Sequence, residues 1–161
     1  MEATECGAAS LAMVMAYYKK FITLEELRVS CGISRDGSKA SSIVKAARNY
    51  GFIAKGFTKS PQDLLNMKTP MVLHWNYNHF LELEGFKGKY VYLSDPAAGK
   101  RRLTWEEFDD CFTGVVLTFE PGPEFKPGGA KPNPTESLKS YLKGSEIALV
   151  YLVLIGLLLV L

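Results

Sequence analysis

Glu5-Cys6-Gly7-Ala8-Ala9-Ser10-Leu11-Ala12-Met13-Val14-Met15-Ala16-Tyr17-Tyr18 is the stretch that decides how this chain folds. From Cys6 to Tyr18 almost every side chain is apolar or small, so a helix here offers water no polar face and belongs in a core. Cys6 then stands at the helix N-terminus, where unpaired N–H groups and the helix dipole favour an anion. That position favours the nucleophilic thiolate over the thiol. Taken alone, Cys6 also reads as one more small core residue, because free cysteines are mostly buried and inert.

The 161 residues suit one ordinary domain. A net charge of +2, without a basic run, argues against a nucleic-acid partner. Cys6, Cys31 and Cys111 are odd in number and unpaired in spacing, which points to a reducing compartment rather than a disulfide framework. No Cys-x-x-Cys occurs and His74 and His79 are the only histidines, so no metal site is expected.

Composition changes after Glu120. Residues 121–146 read as a Pro/Gly-rich linker and juxtamembrane segment, since residues 121–134 hold five of the eight prolines. Residues 147–161 contain no charged or strongly polar side chain. Fifteen such residues fall short of the roughly twenty a spanning helix needs. The expectation is the start of a first transmembrane helix, truncated at Leu161; the alternative is a buried C-terminal helix. Lys139 and Lys143 put residues 1–146 on the cytoplasmic side by the positive-inside rule. The N-terminal apolar helix lacks the basic start and cleavage site of a signal peptide.

Within residues 1–120, a helix over 6–20 is followed by one that Thr23 and Glu26 cap. A third carries Ile43, Ala46, Ala47 and Tyr50 at helical spacing before Gly51. Strands are predicted at Phe52–Thr58, Met71–Tyr77, His79–Phe86, Tyr90–Ser94 and Val115–Glu120. Short helices follow Ser60-Pro61 and Thr104. Helices first and an antiparallel sheet second make an α+β domain.

In the hairpin, His79, Leu81, Leu83, Val91, Leu93 and Asp95 share the face that the leucines and valine mark as buried. A three-residue turn, Lys87-Gly88-Lys89, sets His79 diagonal to Asp95, with Cα atoms about 7–8 Å apart. A sheet packed on the Cys6 helix brings the thiol to that pair. Cys, His and Asp are the parts of a thiol-protease triad, in which the imidazole takes the thiol proton and the acid orients the ring. Singly, His79 also reads as a core histidine and Asp95 as an Asp-Pro turn residue.

Glu5-Cys6-Gly7-Ala8-Ala9-Ser10-Leu11, Asn78-His79-Phe80 and Asp95-Pro96-Ala97-Ala98-Gly99 together resemble the N-terminal peptidase domain of bacterial peptidase-containing ABC transporters. Those domains are papain-like cysteine peptidases. They remove leader peptides after a double-glycine-type motif (Gly-Gly or Gly-Ala) while bacteriocins and related peptides are exported. Ser34-Arg35-Asp36-Gly37 and Leu73-His74-Trp75 look most like the transporters of nitrile-hydratase-like leader and lanthipeptide systems.

The resemblance implies Cys6 as nucleophile, His79 as general base and later acid, and Asp95 as the orienting acid. His74 supports its strand, and Trp75 and Tyr77 are the candidate substrate-binding residues. It implies no cofactor for the peptidase domain, with ATP needed only by a nucleotide-binding domain beyond this chain. The implied partners are a leader-bearing precursor peptide, the chain's own transmembrane and nucleotide-binding domains in a homodimeric transporter, and the membrane. A leader-binding domain without catalysis is the alternative. The family's oxyanion-hole glutamine falls just ahead of Met1, and the one glutamine here is Gln62.

Overall fold

The computed structural model describes residues 5–33 and 37–131, together with Gly144, Tyr151, Ile155 and Gly156. The chain divides into two units, Met1–Ala130 and Lys131–Leu161. Among the described residues no helix is long and apolar enough to cross a membrane. The expectation for residues 147–161 lies almost wholly outside the described residues, as do Ser34, Arg35 and Asp36.

In the first unit α1 (Cys6–Tyr17), α2 (Leu24–Ser30) and α3 (Ala40–Asn49) precede β1 (Phe52–Thr58). The one-turn α4 (Pro61–Leu64) leads to β2 (Met71–Trp75), β3 (His79–Lys87), β4 (Tyr90–Asp95) and β5 (Gly99–Thr104). Then α5 (Trp105–Cys111) runs into β6 (Phe112–Pro121). The strands form one six-stranded sheet in the order β1-β6-β2-β3-β4-β5, and every neighbouring pair is antiparallel.

Local chemistry sets the helix starts. Thr23 Oγ1 accepts the Glu26 N–H at 3.3 Å. Ser60 with Asp63, and Thr104 with Glu107, form complete capping boxes. Helix α1 stops three residues earlier than its composition suggests, because Lys19 takes a left-handed φ of 62°.

Both faces of the sheet are covered. Val72, Phe80 and Leu117 join Leu11, Val14 and Ile43 in a core between the sheet and α1 and α3. Leu81, Leu83, Val91 and Leu93 pack on the opposite face with Leu64 and Phe108. The leucine face of the hairpin therefore meets α4 and α5, not α1 as the sequence reading assumed. Alternation marks a buried face but does not say which element buries it.

Two further expectations change. The β3–β4 turn is the two-residue Gly88-Lys89, pairing Lys87 with Tyr90, and a bulge between Leu83 and Gly85 shifts the register. Beyond the bulge Leu83 pairs Leu93, the partner a three-residue turn would have given, so the two departures cancel at the His79 end. Strand β5, absent from the sequence reading, pairs along all of β4. Its Gly-Lys-Arg-Arg-Leu-Thr sequence lacks alternation because it is an edge, where charge guards against further pairing.

The first part of the expected linker is folded. β6 runs to Pro121, Gly122 N–H donates to Gly51 O at 2.9 Å, and the Phe125 ring lies 4.5 Å from Phe52. Phe21 N–H donates to Gly128 O at 2.7 Å and Gly128 N–H to Lys19 O at 3.0 Å. Proline and glycine prevent a regular element here, yet an apolar ring and free amides still find partners. Gly129 fits because a Cβ there would overlap the Phe21 carbonyl.

Gly7 makes a comparable close approach: a Cβ on it would meet the Ser38 side chain and lie 2.8 Å from Ile43 Cδ1. Gly7→Ala is expected to destabilise the domain by about 1–3 kcal/mol through overpacking. Chemical denaturation checks this; an unchanged midpoint would mean the residue-38 loop moves aside freely.

Candidate active site

Helix α1 is pinned to the sheet by one buried hydrogen bond. Ser10 Oγ, 0% exposed, donates to the Phe80 carbonyl at 3.0 Å. Cys6 lies one helical turn before Ser10, and His79 one residue before Phe80. The clamp thereby brings the start of the helix to the start of β3. There the Cys6 thiol lies close enough to the His79 ring to influence its protonation. His79 Nε2 and Asp95 Oδ1 are 2.9 Å apart, which leaves Nδ1 for the thiol.

Asp95 is the last residue of β4 and is buried. Its Oδ1 also accepts the N–H groups of Ala97 at 2.9 Å and Ala98 at 3.3 Å, an Asx-type turn that fixes the carboxylate before it meets the ring. Arg101 Nη1 lies 3.5 Å from Oδ2. The neighbouring Cys6 side chain raises the His79 pKa above its ordinary value; burial opposes this, and the bond and charge of Asp95 add to it. Burial by itself raises the Asp95 carboxyl, but the bonds from His79, Ala97 and Ala98 outweigh it, and the group titrates below its ordinary value. The pair thus favours imidazolium beside carboxylate, the charge state that a proton-accepting histidine needs.

The structure brings Cys6, His79 and Asp95 together; Trp75 is the cross-strand partner of His79, and Tyr77 lies in the turn between them. Trp75 is 3% exposed and packs 5.7 Å from the Phe108 ring, so it lines no surface that a peptide reaches. Tyr77 is 84% exposed in the β2–β3 turn, where Asn76 and Tyr77 take φ values of 45° and 61°. That turn ends β2 two residues earlier than its composition suggests. His74 Nδ1 bonds Thr113 Oγ1 at 3.0 Å, a structural role. Gln62 lies in α4, whose Leu64 packs on the face of the sheet away from α1. Among the described residues, no three His, Cys, Asp or Glu side chains are grouped to hold a metal ion.

Sequence reasoning missed Ser10, Arg101 and the two alanine amides. Ser10 had a signal: a hydroxyl inside an otherwise apolar buried helix needs an acceptor.

A thiol at a helix N-terminus, facing a histidine–carboxylate pair at one end of an antiparallel sheet, defines the class of papain-like cysteine peptidases. The Peptidase C39 family profile matches residues 1–124, and the chain belongs to that family of cysteine peptidases. Among its relatives is the colicin V secretion/processing ATP-binding protein CvaB of Escherichia coli, 37% identical over 125 residues. The probable microcin-H47 secretion/processing ATP-binding protein MchF, also of Escherichia coli, is 36% identical over 124 residues. These matches cover 78% and 77% of this chain, which spans 18% of the length of each relative.

A double glycine motif protease from an AMS/PCAT transporter, solved in complex with the leader peptide, is 59% identical with a TM-score of 0.73. That match covers 75% of this chain and 87% of the other. The peptidase domain of Streptococcus ComA shares the fold at 23% identity and a TM-score of 0.70, over 75% and 94% of the two chains.

Glu82 of β3 is buried near Glu84, and burial first, then that neighbouring charge, pushes its carboxyl up to about 7. The native state thus holds this proton more tightly than the unfolded chain does. The resulting stability is complete below about pH 4.5 and is lost as pH rises through about 7. Glu82→Gln is expected to raise Tm by a few degrees at pH 8 and to change it little at pH 4. Equal shifts at both pH values would overturn the assignment.

Proposed function

We propose that this domain removes leader peptides from bacteriocin or lanthipeptide precursors, cutting after a double-glycine-type motif. The observation that carries the reading is the convergence of Cys6, at the start of α1, on His79, whose Nε2 is 2.9 Å from Asp95 Oδ1. The 59% identity to a protease solved with its leader peptide supports the substrate class.

His79 takes the Cys6 proton, and the sulfur attacks the carbonyl carbon of the last leader residue. The tetrahedral oxyanion faces the N-terminus of α1, where the Cys6 N–H and the helix dipole stabilise it. When the C–N bond breaks, imidazolium gives its proton to the departing amine of the cargo peptide. A thioester joins the leader to Cys6. His79 then deprotonates a water that attacks the thioester, releasing the leader carboxylate and restoring the thiol. Asp95 holds the ring and balances its charge through both halves. The steps use these side chains and water, with no cofactor.

We further infer that the domain serves a membrane exporter on its cytoplasmic side, beside transmembrane and ATP-binding domains in a homodimer. The relatives' names as secretion/processing ATP-binding proteins support this. Residues 131–146 then act as connector and residues 147–161 as the start of a membrane helix. Deleting residues 131–161 is expected to leave cleavage and thermal unfolding unchanged and to abolish binding to detergent. A marked loss of Tm would make the tail part of the core.

Cys6→Ala is expected to abolish cleavage of a matching precursor while leader binding persists, because the thiol attacks but contributes little grip. Asp95→Asn is expected to keep the fold and lower turnover substantially, by up to about 10⁴-fold. Assays with purified domain and synthetic precursor decide both. Cleavage by the alanine variant removes Cys6 as nucleophile, and binding without cleavage by the wild-type domain leaves a docking module.

A further inference from the structure

Glu5 is the residue immediately before Cys6 and occupies the N-cap of α1, with φ −96° and ψ −6°. A carboxylate at an N-cap ordinarily accepts from the first-turn N–H groups and is favoured there by the dipole. Here Glu5 makes no such bond. Its carboxylate is turned instead to Arg28 Nη2 of α2.

Arg28 also bonds Glu25 through Nη1 at 3.1 Å. Its Nε is buried without an acceptor among the described residues. An unmet buried donor is costly, so the two carboxylates, and not the satisfaction of every guanidinium N–H, set the orientation of the group.

We propose that Arg28 is a positioning residue for the nucleophile: it holds the Glu5 carboxylate away from the start of α1 and neutralises it. An N-cap carboxylate left to itself would compete with thiolate and oxyanion for the same N–H groups. It would also place a negative charge one residue from a sulfur that must itself become negative. Among the described residues, β3 brings His79, with Asp95 of β4 and then Arg101 of β5 behind it, and α2 brings Arg28 with the exposed Glu25. Lys39, at the N-cap of α3, is exposed. The Glu5–Arg28 pair is a charge pair beside the thiol, separate from His79, which carries the proton, and Asp95, which holds the ring.

The inference rests on Cys6 being the nucleophile, and its test is separable from that reading. Alkylation of Cys6 by iodoacetamide is followed against pH, with peptide mass spectrometry resolving Cys6 from Cys31 and Cys111. This measures the thiolate without any cleavage, whereas Cys6→Ala decides the nucleophile independently. Arg28→Met is expected to slow Cys6 alkylation at pH 7 by about two- to fivefold, the scale of a charge at a helix terminus. Its pH midpoint should move upward, and kcat for leader cleavage should fall by a similar factor with KM unchanged.

Arg28→Lys should keep the wild-type midpoint. Adding Glu5→Gln to Arg28→Met should return the midpoint to the wild-type value, because the unpaired charge is then gone. Arg28→Gln replaces the methionine variant if that protein does not fold. A wild-type pH profile in the neutral Arg28 variant would overturn the proposal. So would a double variant that stays shifted, since Arg28 would then act only through packing.

Discussion

The docking of α1 on β3 is the constraint on which the rest of the domain depends. Its small side chains let the helix backbone come close to the sheet, and the Ser10 hydroxyl fixes where along β3 it rests. Such a bond contributes only about 0.5–1.5 kcal/mol when made, but a buried carbonyl left without a donor costs about 1–3 kcal/mol. Sliding the helix by one residue, about 1.5 Å, would incur that penalty and draw the thiol away from the His79 ring. One contact therefore sets both the packing and the relation of sulfur to imidazole.

The far face of the sheet fixes the other half of the site. Phe108 of α5 stacks on Phe112 with ring centroids 5.5 Å apart and lies within 6.3 Å of Trp75, Phe86 and Trp105. This aromatic layer packs on Leu93, two residues before Asp95. With β5 paired along it, β4 is held on two sides, and its terminal carboxylate stands still against a histidine from the neighbouring strand. The pair thus belongs to rigid strands, while the thiol arrives from a helix on the opposite face and meets it at the sheet's end.

Much of this was legible in the sequence. Ser60 and Thr104 announced their helices through capping chemistry that needs only local residues, and β1 starts and ends where its composition says. The His79–Asp95 contact was legible because pairing parity survives the bulge. What was hidden depends on distant partners. The face that meets α1 cannot be read from alternation when both faces are apolar. The burial of Trp75, read from the sequence as a candidate substrate-binding residue, was hidden because its partner Phe108 comes from a helix about thirty residues later in the chain. The fold of Pro121–Gly129 rests on irregular bonds to Lys19, Phe21 and Gly51, which no periodicity encodes. Glu5 and Arg28 meet across two helices, and spacing alone gives no hint that one restrains the other.

The anchoring of Gly128 beside Lys19 and Phe21 has a mechanical consequence. Any segment attached downstream starts its reach from Ala130, not from the end of β6. The stretch thus removed from the leash is about ten residues, or about 35 Å at full extension. A partner tethered to this domain would be confined to a correspondingly smaller volume. A pull on the tether would first load the short bridge between Lys20 and Gly128, leaving the strands that hold His79 and Asp95 unstressed.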